Sequence, residues 1–262
     1  MGWRRPMRSD GVEVIGWREF ASLLDDSLKK QAAYVSGLVG YGLLTLLDRS
    51  EPGAVPQLPD PPTTPWAQAA RRVADETMDE RWIAHSERTW QFATALASRD
   101  SRRAAAQGAP LEEPNSEQLY VASLLHDTGL FDANRTKCFA VTGSANARST
   151  AVEAGVDEDA AELVAEAISS HVSLNPGNPL GEYLQAGSLL DAIGDRVWHL
   201  DRAVVDKVCD DWPRAGFPGE LRSRWAQECS MFPNGRAAFA RCPGGFSLAT
   251  HLAPLCRRAR SA

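Results

Sequence analysis

Apolar residues recur along this chain three and four positions apart, the period of helices with one buried face. Alternation with period two is almost absent, and Val-Ile-Thr runs that would form strands do not occur. The pattern predicts helices over 66–78, 80–100, 116–128, 143–154, 157–171, 180–195 and 201–211. Their ends are marked by capping residues. Asn115-Ser116 precedes LYVASLL, Gly129 follows it as a stop, and Asp157 opens the helix at 157–171. An Asn-Pro-Gly-Asn-Pro turn at 175–179 separates two further helices. The expected fold class is therefore all-α, a helical bundle.

Three segments frame that bundle. Residues 1–65 read as a helical extension ending in the proline-rich linker EPGAVPQLPDPPTTP, where missing donors and fixed φ angles favour extended chain. Residues 66–212 hold the helical domain. Residues 213–262 are punctuated by Pro and Gly and are expected to form an irregular cap of short helices on it. The uncharged stretch Ala32–Leu47 is shorter than the ~20 residues of a membrane span, so a buried helix or helical hairpin is expected there.

Charge and cysteines narrow the function. Lys and Arg total 28 against 34 Asp and Glu, a net charge of −6, which speaks against a uniformly basic nucleic-acid binder. The five cysteines are odd in number and lack CxxC spacing, so reduced thiols are expected rather than a zinc ribbon or a disulfide framework. Residues 1–10 lack an apolar secretory core, and a cytoplasmic location is expected, with no membrane partner. A homo-oligomer is compatible with the apolar 32–47 stretch.

The chemistry concentrates in a few polar residues on apolar helix faces. His85 lies on the stripe Trp82, His85, Thr89, Phe92, Leu96. His126 and Asp127 end the apolar run SLLHDTG, Asp191 sits within GSLLDAIGD, and His171 continues Val164, Ala167, Ile168. Each alone fits a satisfied core residue. Together, inward imidazoles and carboxylates on separate helices point to a divalent metal, because an unpaired buried carboxylate costs several kcal/mol. Such donors suit Zn, Fe or Mn. Ser86 and Ser123 lack the strand–turn–helix setting of a serine nucleophile. Arg88 reads as a helix-face ion-pair partner, and His199 and His251 fall outside the pattern.

The order His85, His126-Asp127, Asp191, with AHSERTWQFA (84–93), YVASLLHDTG (120–129) and LLDAIGD (189–195), resembles the HD-domain superfamily of helical metal-dependent hydrolases. The resemblance covers roughly 70–210. KCFAVTGSANAR (137–148) and the segment around His171 are similar to the cyanamide hydratase branch, with Ala84, Ala140, Val172 and Ser173 standing where that branch has Asn, Glu, Gln and Asp. The resemblance implies metal ligands His85, His126, Asp127 and Asp191. It implies one divalent ion, zinc before iron or manganese, since His171 is the only histidine between the HD pair and Asp191. His171 is then a ligand, a pocket acid/base or a hydrogen-bond partner behind the ligands, with the acid/base role expected. Lys137 and Phe139 become candidate substrate contacts. The implied activity is addition of water to a small nitrogenous molecule. A phosphohydrolase acting on a nucleotide or phosphate monoester, and a degenerate HD module that binds without turnover, are the alternatives.

Overall fold

A computed structural model of the chain describes residues 58–173, 175–241, 246, 249 and 250, and in the N-terminal part residues 25, 29, 32–37 and 39. It is all-α, with no strand among the described residues. We number the helices α1 (Pro65–Thr77), α2 (Glu80–Ala106), α3 (Ser116–Leu125), α4 (Phe139–Glu153), α5 (Glu158–Ser170), α6 (Pro179–Ile193), α7 (Arg202–Asp211), α8 (Phe217–Met231) and α9 (Arg236–Arg241). Short 3-10 turns occupy Thr128–Phe131 and Val197–His199.

The helix starts follow from capping chemistry. Thr64, Asp79, Asn115, Asp157 and Asn178 each accept from a backbone N–H of the first turn they precede. Pro65 and Pro179 stand in first turns, where a missing N–H costs nothing. Three boundaries depart most from the sequence reading, and the first is the end of α2, which runs on to Ala106 instead of stopping at 100. Helix α3 ends at Leu125, and the chain continues as a 3-10 turn through Gly129. Helix α4 begins at Phe139, four residues early, because its first N–H donates to Glu228 Oε1 on α8 at 3.2 Å. That cap comes from ninety residues away, so no local signal reports it.

Helix α3 is the hub of the bundle. It packs against α1, α2, α4, α5 and α6, and every residue from Leu119 to Leu125 is buried. A helix apolar on all sides belongs in a core, and this one delivers His126 and Asp127 to the centre of the molecule. Burial on α2 is likewise wider than one stripe, for residues 84–93 are all buried, Glu87 and Arg88 among them.

Helices α2 and α6 form the most extensive pair. Gly187 makes their approach possible, because a Cβ there would stand 2.2 Å from the Thr89 carbonyl oxygen. Asp191 lies one turn further along α6, opposite His85 and Arg88.

The segment after residue 212 is more regular than its Pro/Gly content suggests. Pro218 stands in the first turn of a fifteen-residue helix rather than interrupting one. That helix buries Phe217, Leu221, Trp225, Glu228 and Cys229 against the bundle.

In the N-terminal part, residues 32–37 are helical and Tyr34 donates to the Ile193 carbonyl at 2.8 Å. The expectation of a buried helix fails here, for Val35 and Val39 are each 58% exposed. Residues 40–47 lie outside those described. No helix among the described residues is long and apolar enough to cross a membrane. Cys209 is disulfide-bonded, contrary to the expectation of reduced cysteines, while Cys138 and Cys229 form no disulfide.

Candidate metal centre

Two helix ends and one helix interior converge at the core. His85 comes from α2, His126 and Asp127 from the end of α3, and His171 from the end of α5. All four are buried. His85 Nε2 and His126 Nε2 lie 3.3 and 3.2 Å from Asp127 Oδ2, and His171 Nε2 lies 4.0 Å from Asp127 Oδ1. The ligand atoms of His85, His126 and Asp127 all fall within 4.8 Å of one another. Such a group can hold a metal ion. Donors ~2.0–2.1 Å from a tetrahedral zinc stand about 3.4 Å apart, close to the spacings here.

The far sides of the rings fix their orientation. His126 Nδ1 donates to the Ser123 carbonyl at 2.8 Å, His171 Nδ1 to the Ile168 carbonyl at 2.6 Å, and His85 Nδ1 to Asp191 Oδ2 at 2.6 Å. Carbonyl oxygens only accept, so Nδ1 of His126 and His171 carries hydrogen, and a bare Nε2 is what each ring presents to a metal ion. His126 Nε2 is buried and has no hydrogen-bond partner. Its lone pair faces a carboxylate oxygen at 3.2 Å. Two lone pairs meet across that gap unless a proton or a metal ion lies between them. The donor set therefore fits a metal, and ring N–H groups bonded away from the ion are the usual support for histidine ligands.

Electrostatics concentrate on the two aspartates. Burial acts to raise the Asp127 carboxyl, but His126 and His85 outweigh it and hold it far below the usual carboxylate range. Burial acts likewise on Asp191, where Arg88, Arg214 and His85 prevail and keep it ionised. Burial works to lower His85, yet its hydrogen bonds and charges with Asp127 and Asp191 raise it. His171 has weaker support: burial, with His126 nearby, brings it down to about 4.

The structure places Asp191 apart from the cluster. Its Oδ1 accepts from Arg88 Nε at 2.7 Å and Arg214 Nε at 2.8 Å, and its Oδ2 from His85 Nδ1 at 2.6 Å and Arg88 Nη2 at 2.9 Å. These four bonds use the carboxylate's ordinary accepting capacity. Arg88 is wholly buried, and its remaining Nη1 donates to the carbonyls of Trp212 and Pro213 at 2.9 and 3.0 Å. It is an ion-pair partner, but in the core rather than on an exposed helix face. Phe217 stacks on the His85 ring at 4.5 Å between centroids and lies under the guanidinium groups of Arg88 and Arg214.

The proposed substrate contacts separate. Phe139 is buried, with its ring edge-on to His171 at 5.6 Å and to Trp225 at 5.9 Å, so it forms a wall beside the centre. Lys137 is exposed. Sequence reasoning missed Arg214, Phe217 and Glu228. Glu228 is fully buried and binds Arg135 Nη2 at 2.8 Å as well as the Phe139 N–H. It anchors the loop that carries Lys137. No periodic signal marks these residues, because they lie in the Pro/Gly-rich segment and on a helix it conceals. His199 is half-buried and accepts from Arg196 Nε at 3.3 Å, away from this chemistry. His251 lies outside the described residues.

No family model matches the chain, and no curated protein matches it in sequence.

Proposed function

We propose that this protein is a metal-dependent enzyme that adds water to a small, uncharged nitrogenous substrate such as a nitrile. The observation that carries the proposal is the buried, unpartnered Nε2 of His126 facing the Asp127 carboxylate. The order His85, His126-Asp127, Asp191 supports it through its resemblance to HD-domain hydrolases and their cyanamide hydratase branch.

A single divalent ion, zinc in this reading, would be held by His85, His126 and Asp127. When bound it supplies activation of water at neutral pH and polarisation of the substrate. The chain does the rest. Ser123 and Asp191 hold the rings of His126 and His85 so that Nε2 points inward. Asp127 remains a carboxylate throughout the physiological range. Trp82, Phe139 and Phe217 pack around the histidines and limit bulk water. In a nitrile hydration a C–O bond forms, the nitrogen gains protons, and nothing leaves.

The arginines argue against a phosphate ester, which needs convergent donors free to bind it. Arg88 and Arg214 are committed to Asp191, and Arg135 to Glu228. The test is elemental mass spectrometry of untagged protein beside Asp127→Ala, followed by a screen of nitriles and phosphate monoesters. About one zinc per chain, lost in the variant, together with amide formation from a nitrile, is the expected result. A folded protein that binds no added metal would overturn the proposal and favour a binding module without turnover.

A further inference from the structure

We infer that the fourth protein ligand of the metal centre is His171, and that Asp191 is a positioning residue that never touches the ion. The inference rests on the metal reading above and deepens it. Sequence order alone favours Asp191, since it supplies the last carboxylate of the series.

The geometry of the His85 ring separates the two candidates. An imidazole's two nitrogens diverge, so a carboxylate hydrogen-bonded to Nδ1 lies on the opposite side of the ring from an ion bound at Nε2. Asp191 Oδ2 is 2.6 Å from His85 Nδ1, whereas Asp127 is the carboxylate on the Nε2 side. To reach the ion, Asp191 would have to abandon two buried guanidinium groups and swing past the ring. Arg214 also donates to the Asp191 backbone carbonyl, so the same arginine holds main chain and side chain together. Asp191 thus keeps a hydrogen on His85 Nδ1 and directs the bare Nε2 inward, the part a carboxylate plays behind a histidine ligand.

His171 stands outside the group of donors that all lie within 4.8 Å of one another, but its Nε2 approaches the carboxylate of that group. Its Nδ1 is occupied by the Ile168 carbonyl, which turns Nε2 toward Asp127 Oδ1 at 4.0 Å. Its ring meets that of His126 edge-on with centroids 5.0 Å apart. The Gln185 side chain donates to the His171 and Ser173 carbonyls, both at 2.6 Å, and fixes the turn that carries the ring. His126 and His171 occupy equivalent positions, each the residue that caps the C-terminus of its helix, each with Nδ1 on the carbonyl three residues back. The donor set would be three imidazole nitrogens and one carboxylate, and the water of the proposed reaction would need a fifth position on the ion.

The test uses full-length protein, labelled with 15N-histidine and loaded with 113Cd2+ alone, read by NMR. One-bond 113Cd coupling identifies each imidazole nitrogen bound to the metal, and His85→Gln, His126→Gln and His171→Gln assign the signals. The expected result is splitting at Nε2 of His85, His126 and His171, with Asp191→Asn retaining all three couplings while its Cd2+ affinity falls about 10–100-fold. Splitting at His85 and His126 but not His171 would overturn this inference and leave the metal reading intact. No splitting at any histidine would overturn both. The wild-type spectrum decides between these outcomes even if a variant fails to fold.

Discussion

Arg88 clasps Asp191 with two parallel hydrogen bonds, Nε to Oδ1 at 2.7 Å and Nη2 to Oδ2 at 2.9 Å, and both side chains are wholly buried. Such a pair contributes little net stability over an apolar core, but breaking it leaves a charge with too few partners. Arg88→Met should destabilise the fold by about 3–5 kcal/mol in urea denaturation. A loss below about 1 kcal/mol would mean that Arg214 and His85 suffice for Asp191.

Gly187 sets the distance between α2 and α6. Gly187→Ala would place a methyl group against the Thr89 carbonyl, which is backbone and has no rotamer to yield. A cost of about 1–3 kcal/mol is expected. Metal affinity should weaken as well, since separating α6 from α2 draws Asp191 away from His85. Calorimetric titration with Zn2+ measures this. Unchanged affinity in a destabilised variant would disconnect helix spacing from the centre.

Proton linkage gives the metal-free protein a stability optimum. His171 is lowered to about 4, so its contribution is complete above an unfolded value of ~6.5 and is lost as pH falls toward 4. His85 is raised, so its contribution is complete below ~6.5 and is lost as pH rises through its folded value. The aspartates are lowered and add losses only below about pH 4. Thermal unfolding in chelator should therefore show its highest Tm near pH 6.5. A Tm that rises steadily to pH 9 would contradict the assigned state of His85.

Metal binding should reverse the alkaline side of that profile. His85 must release its Nε2 proton before it can act as a donor, so affinity should increase with pH by about tenfold per unit until the ring is neutral. At 100 times Kd, bound metal should add about 2.7 kcal/mol of stability. His126→Ala should abolish this gain, as a metal-dependent Tm shift would report.

Glu228 tests the link between α8 and the centre. It holds Arg135 and caps α4 at Phe139, the residue that walls His171. Glu228→Gln retains an acceptor but loses the charge, and should cost roughly 1–3 kcal/mol. Amide exchange at residues 139–141 should accelerate. If exchange stays slow, α4 does not depend on this cap.

Much of this architecture was legible in the sequence because it is local. Thr64, Asp79, Asn115, Asp157 and Asn178 announce helix starts within three residues of the N–H groups they cap. The apolar runs around His126-Asp127 and Asp191 announce burial. The α4 start escaped because its cap is Glu228, distant in sequence. Periodicity gives the inward face of Asp191 but not which side of His85 it occupies. Arg214 and Phe217 were hidden because Pro and Gly there suggested loop, whereas Pro218 in fact stands in a helical first turn.

The contacts of Phe217 bear on when the centre can form during synthesis. Translation makes every metal donor before the chain reaches Arg214, the Trp212 and Pro213 carbonyls, or the Phe217 ring. Until then Asp191 has one arginine instead of two, Arg88 has an unanswered Nη1, and one face of His85 is bare. A nascent chain halted near residue 200 therefore carries the donors without the residues that brace and cover them. The bracing and covering of His85 and Asp191 by these residues is completed only once residues 212–217 have been made.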